Sequence, residues 1–197
     1  MGEPVRVLVL CTGNICRSPM AEAMLRARLA GRDVEAVVTS AGTATEGEPA
    51  ADEVLELLRS RGLDGSAHRS RLLDADLLAE ADLVLAMARL HVRDAALVDP
   101  EAFGRTFTLK ELVRRGEAAG ARAPDEDLAG WLARVGADRQ PTRLLGDSPA
   151  DDVVDPVGRR FGVFKKVARE LDDQLDRLVD LAWPVEAPPA LLSGDPA

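Results

Sequence analysis

The chain has 197 residues, and its 34 Asp and Glu against 25 Lys and Arg give a formal charge of −9, which argues against a general nucleic-acid or anionic-membrane surface but leaves room for a local cationic pocket. Hydrophobic residues make up 46% and aromatics only 3%, with Tyr absent, so a single domain with a core of Leu, Val and Ala is expected. No apolar run approaches the roughly 20 residues that span a bilayer, and no signal-peptide pattern precedes the first strand, so the expectation is a cytoplasmic protein without membrane insertion.

The first predicted element organises the rest. Val5 to Leu10 is a continuous apolar run, the mark of a strand buried on both faces of a parallel sheet. After Cys11-Thr12-Gly13-Asn14-Ile15-Cys16-Arg17-Ser18 a helical stripe begins, Met20, Ala21, Met24, Leu25 and Leu29, with Ser18 as the expected N-cap and Pro19 at the first helical position. A strand feeding a helix N-terminus through such a loop is a place to bind an oxyanion, because the unpaired N–H groups and aligned peptide dipoles of the first turn carry partial positive charge. The same field favours Cys11 as a thiolate, the nucleophilic form. Arg17 can hold two phosphoryl oxygens, Gly13 allows close backbone approach, Asn14 tolerates a left-handed conformation, and Ser18 can donate a hydrogen bond to the Cys11 sulfur.

Val34 to Thr39 reads as a second strand ending in a Ser40-Ala41-Gly42-Thr43 turn, and Ala51 to Arg61 as a helix closed by Gly62. Ala81 to Met87 is a third strand, Arg89 to Val98 a helix, and Arg105 to Leu109 a short fourth strand. This alternation predicts a doubly wound α/β fold, a mainly four-stranded parallel sheet with helices on both faces and the site at the carboxyl ends of its strands. Leu109 to Ala119 and Pro124 to Val135, the latter carrying Trp131, are two further helices, and Gly136 to Asp152 is rich in Gly, Asp, Arg and Pro. A last long helix runs from Phe161 to Trp183; Pro184 breaks it, and 184–197 reads as a loose tail. The domain is taken as 1–183.

CTGNICRSPM, close behind an N-terminal strand, resembles the phosphate-binding loop of the low-molecular-weight protein tyrosine phosphatases. The resemblance covers roughly Arg6 to Leu109 and Val153 to Leu181. It implies Cys11 as nucleophile, Arg17 as the phosphoryl-binding cation, residues Thr12 to Ser18 as the phosphate cradle, and Asn14, Ser18, Ser40 and His68 as the hydrogen-bonding set that holds the loop. It also suggests a reversible Cys11–Cys16 disulfide, beside the plainer alternative that Cys16 only packs. Against the family's usual connection, residues 109–152 look like an insertion beside the active-site mouth; the alternative is a solvated outer helix pair.

Ester cleavage needs a proton on the departing oxygen. Asp155, in Val153-Val154-Asp155-Pro156-Val157-Gly158, resembles the family's general acid in sequence and position. Asp151 and Asp152 are the alternatives, while Asp99-Pro100 and Asp195-Pro196 lie in other contexts. The two cysteines and the two histidines, His68 and His91, form no paired-ligand spacing, so no metal and no cofactor are expected. The implied activity is metal-independent hydrolysis of phosphomonoesters through a cysteinyl phosphate, with a phosphorylated protein or a small phosphomonoester as substrate. Alternatives are a phosphatase for an alkyl or sugar phosphate and a small-thiol-dependent arsenate reductase. Val157 follows Asp155-Pro156, and Thr43 to Gly47 contains no aromatic, both places where family members acting on phosphotyrosine usually carry a ring; Phe161 or Trp131 is the candidate wall instead. Ala88 after Met87 departs from the family's frequent Met-Asp.

Overall fold

A computed structural model describes residues 3–185. Four parallel strands lie in the order β2-β1-β3-β4, with β1 at Val5–Cys11, β2 at Ala36–Gly42, β3 at Leu83–Ala86 and β4 at Thr106–Thr108. Among the described residues seven α-helices surround them: α1 Arg17–Ala30, α2 Asp52–Arg59, α3 Ala75–Ala79, α4 Arg89–Val98, α5 Leu109–Ala119, α6 Leu128–Val135 and α7 Phe161–Ala182. Strand β1 is central, and its alternating side chains feed two cores. Val7, Val9 and Cys11 join the larger core with residues of α1, α2, α5, α6 and α7. Leu8 and Leu10 face the other side with Leu78 of α3 and Ala95 of α4. Burial on both faces is the reason the sequence shows an unbroken apolar run there.

The four strands and the doubly wound layout agree with the sequence, and the differences have local causes. Strand β2 lies two to three residues later than the pattern predicts. Val34 still belongs to the exit of α1, its N–H bonded to Leu29 O, and Ser40 to Gly42 remain in the ladder, with Gly42 opposite Cys11. They are strand rather than turn. Helix α1 starts at Arg17 with Cys16 as N-cap and no side-chain cap; Ser18 lies inside the first turn, where its hydroxyl is occupied by the site. Helix α3, capped by Asp74, went unpredicted because five residues carry too little periodicity to read. The segment 109–152 is not a solvated pair of helices: Leu109, Leu112, Val113 and Trp131 are fully buried, and α5 packs along α7. Pro184 and Val185 are described without regular structure; the rest of the predicted tail lies outside the described residues.

Candidate active site

Cys11 closes β1, Arg17 opens α1, and the five residues between them wrap the carboxyl edge of the sheet. The loop bends at Asn14, whose φ of 48° is left-handed, a conformation that Asn tolerates better than most residues. That bend sends the Asn14 N–H to Cys11 Sγ at 3.2 Å. Ser18 Oγ lies 2.9 Å from the same sulfur and accepts a hydrogen bond from Asn14 Nδ2 at 2.9 Å, so its own proton is free for the sulfur. Two donors therefore converge on the Cys11 sulfur at a helix N-terminus.

Asn14 is fully buried and fully satisfied. Its amide also donates to Ser40 Oγ at 2.8 Å, its Oδ1 accepts from Arg71 N at 3.0 Å, and its backbone carbonyl accepts from His68 Nε2 at 2.6 Å. Ser40 Oγ donates a hydrogen bond to Glu22 Oε2 at 2.5 Å. The loop is held from the β2 side as well, where Thr43 N and Ala44 N donate to Thr12 O and Ala51 N to Ile15 O. Gly42 makes this approach possible. A Cβ there would sit 2.7 Å from Thr12 O and 2.9 Å from Asn14 N.

Arg17 is buried, and its Nη1 donates to Val153 O at 3.2 Å. Nη2 donates to Thr12 Oγ1 at 3.3 Å and to Asp155 Oδ2 at 2.5 Å. The Asp155 carboxyl is half-exposed at the mouth, its other oxygen accepting from Val157 N. The loop that carries it is tied to the sheet edge by Val153 N donating to Met87 O. Asp151 and Asp152 are engaged elsewhere. Asp151 is buried between Arg89 and Arg114, and Asp152 accepts from Arg89 N and Ser148 N. Asp99 caps a 3-10 turn at Pro100–Arg105; Asp195 lies outside the described residues.

Cys11, Asn14, Arg17, Ser18, Ser40, His68 and Asp155 thus come together. Trp131 does not: it is buried in the core, its indole N–H donating to Gly120 O, and cannot wall a solvent-open pocket. Phe161 is half-buried at the head of α7, with the Lys165 ammonium 4.7 Å over its ring. Both cysteines are free thiols in this structure; burial first, then the Cys11 and Asp155 charges, push the Cys16 thiol up to about 12. Sequence reading missed Glu22, Arg71 and His91, whose Nε2 lies 3.0 Å from Thr12 Oγ1. The available signal for His91 was its place on the first turn of the helix after the third strand, which opens on the same sheet edge.

A sequence profile described as low molecular weight phosphotyrosine protein phosphatase matches residues 6–126, placing Cys11 in its phosphate-binding loop. The chain belongs to this family. A protein-arginine-phosphatase from Geobacillus stearothermophilus is 33% identical over 179 residues, covering 90% of this chain and 95% of the relative. The low molecular weight protein-tyrosine-phosphatase Etp of Escherichia coli K12 is 35% identical over 56% of this chain and 73% of its own length. The crystal structure of a low molecular weight protein tyrosine phosphatase from T. tengcongensis superposes with a TM-score of 0.67 at 35% identity, over 89% of this chain and 98% of that one. Like its relatives, this low-molecular-weight phosphatase is a cysteine-dependent enzyme of the protein phosphatase type. Among the described residues no helix is long and apolar enough to cross a membrane.

Proposed function

We propose that this phosphatase hydrolyses phosphate monoesters on protein side chains, with Cys11 as nucleophile, Arg17 as the phosphoryl clamp and Asp155 as the proton donor. The observation that carries the reading is the pair of donors, Asn14 N–H and Ser18 O–H, aimed at Cys11 Sγ at the head of α1. In the free protein Arg17 Nη2 holds Asp155. A phosphate monoester entering the loop as its monoanion competes for that guanidinium and hands its proton to the freed carboxylate, which turns toward the leaving oxygen as the acid. The Cys11 thiolate attacks phosphorus; the S–P bond forms as the P–O bond to the leaving group breaks, and Asp155 supplies its proton. Water, giving a proton to Asp155, then attacks the cysteinyl phosphate, inorganic phosphate departs and the thiolate returns. Loop N–H groups and Arg17 stabilise the charge that builds on the equatorial oxygens.

Phosphotyrosine is the first substrate reading, from the family match. Phosphoarginine on protein is the second; it is a phosphoramidate, so a P–N bond breaks in place of the P–O bond and Asp155 protonates the departing guanidine nitrogen, and it is favoured by the near full-length match to an arginine phosphatase and by Val157, exposed directly after Asp155-Pro156 where an aromatic would stack on a phenyl ring. A free thiol as nucleophile fits a reducing compartment, which supports a cytoplasmic setting. We read 1–183 as one catalytic domain in which the segment 109–152 borders the acid loop through Asp151 and Asp152. The test is release of p-nitrophenol from p-nitrophenyl phosphate in the presence of a chelator, comparing wild type with Cys11→Ser. Turnover is expected to survive chelation and to vanish in the variant. Folded, reduced wild type without turnover would sink the reading. Peptides bearing phosphotyrosine or phosphoarginine and a small alkyl phosphate then rank the substrates.

A further inference from the structure

Thr12 of the phosphate loop carries a hydroxyl that meets two side chains, one a donor in every state and the other a neutral or charged imidazole. Thr12 Oγ1 accepts a hydrogen bond from Arg17 Nη2 and lies 3.0 Å from His91 Nε2; no other partner for its side chain occurs among the described residues. His91 is buried on the first turn of α4, and its other ring nitrogen, Nδ1, has no partner among the described residues. The ring is neutral. Burial first, and then the Arg17 charge, pull it from 6.5 down to about 3 against the opposing pull of Asp155, with Arg93 acting in the same sense as Arg17. A neutral imidazole carries one N–H.

Two arrangements follow. If that N–H is on Nδ1, a donor is buried with nothing to receive it, at the full desolvation cost of an unmade hydrogen bond. If it is on Nε2, it donates to Thr12 Oγ1 and Nδ1 carries only a lone pair, so that no N–H of the ring is left without an acceptor. In the second arrangement both lone pairs of Thr12 Oγ1 are occupied by donors, one from His91 and one from Arg17. The hydroxyl proton must then point away from both. Oγ1 stands 3.3 Å from the same Arg17 nitrogen that holds Asp155, at the place where an anionic oxygen displaces that carboxylate.

The geometry points to Thr12 as a substrate-contacting donor, its hydroxyl bonded to the phosphoryl oxygen that Arg17 Nη2 also binds, and to His91 as the positioning residue that fixes the direction of that bond. The inference rests on the phosphatase reading above and deepens it. Sequence position alone hides the pair, 79 residues apart.

The experiment is a double-mutant cycle on kcat and on competitive inhibition by inorganic phosphate. Thr12→Val keeps the shape and removes the hydroxyl; it is expected to lower kcat/KM by about 10- to 100-fold, the usual cost of a hydrogen bond to a charged group, and to weaken phosphate inhibition. Thr12→Ser restores most of the loss. His91→Leu is expected to cost about 10-fold, His91→Gln, which keeps an N–H at similar reach, to recover most of it, and His91→Leu to add nothing once Thr12 is Val. Additive losses, or Thr12→Val with wild-type kinetics, would overturn the proposal. Failure of wild type itself on p-nitrophenyl phosphate is the separate result that removes the phosphatase reading beneath it.

Discussion

At the scale of single residues, the site depends on contacts that leave no room for a methyl group. Gly42 is the clearest case, because the atoms its Cβ would meet are the backbone of Thr12 and Asn14 and not the ends of flexible side chains. Gly42→Ala is therefore expected to destabilise the fold by about 1–3 kcal/mol and, by pushing the loop off the Cys11 sulfur, to lower kcat at least 10-fold, a loss that a 1 Å misplacement readily produces. Steady-state kinetics beside a urea titration check it; unchanged kcat would show that the loop tolerates displacement. Cys11, Arg17 and Ser18 were legible in the sequence because a nucleophile, a cation and a hydroxyl fall at fixed spacing in one loop. Glu22 and Arg71 were not. Each acts through another side chain, and nothing in the pattern of a helix or a turn reports which neighbour a charged residue will meet.

At the scale of elements, α5 and α6 show how periodicity detects a helix without saying what it rests against. Their apolar positions were readable, but Trp131 reads equally as a pocket wall or a core residue. It turns inward because Gly116 of α5 lets it approach: a Cβ at Gly116 would lie 3.0 Å from the indole and 3.1 Å from Leu181. Beside it Arg139 is buried against Glu111, with its guanidinium over the rings of Phe103 and Phe107 at 4.4 and 3.9 Å. Trp131→Ala is expected to cost about 3–5 kcal/mol in denaturant unfolding while leaving kcat of the folded enzyme within about 2-fold. A large drop in kcat with little loss of stability would instead place Trp131 in contact with substrate.

For the whole molecule, buried ionisable groups tie the loops around the site to α4 and α5 and set the response to acid. Burial raises the Asp151 carboxyl, but hydrogen bonds from Arg114 and Arg89 outweigh it and hold it below its usual value. Asp151 therefore contributes stability that is present above the ordinary carboxylate range and lost as pH falls through the folded value. His91 acts earlier. Above 6.5 both folded and unfolded forms are neutral; below it the unfolded chain takes up a proton that the folded ring refuses until about 3, so stability falls across that window, by on the order of 2 kcal/mol at pH 5. Urea midpoints for wild type should drop between pH 7 and pH 5, and His91→Gln should flatten that segment; parallel curves would show that His91 is not the group responsible.

By itself the sequence determined the α/β alternation, the four strands and the loop that places five residues between Cys11 and Arg17. Those features are local, written in apolar runs, helical stripes and short-range spacing that one stretch of chain carries alone. Only the tertiary structure decided that Asp155 meets Arg17 across 138 positions, that His91 meets Thr12 across 79, and that Trp131 belongs to the core. Such meetings depend on how the parallel sheet closes its crossovers, which brings the carboxyl ends of β1 and β3 to one edge, and no local pattern encodes that juxtaposition.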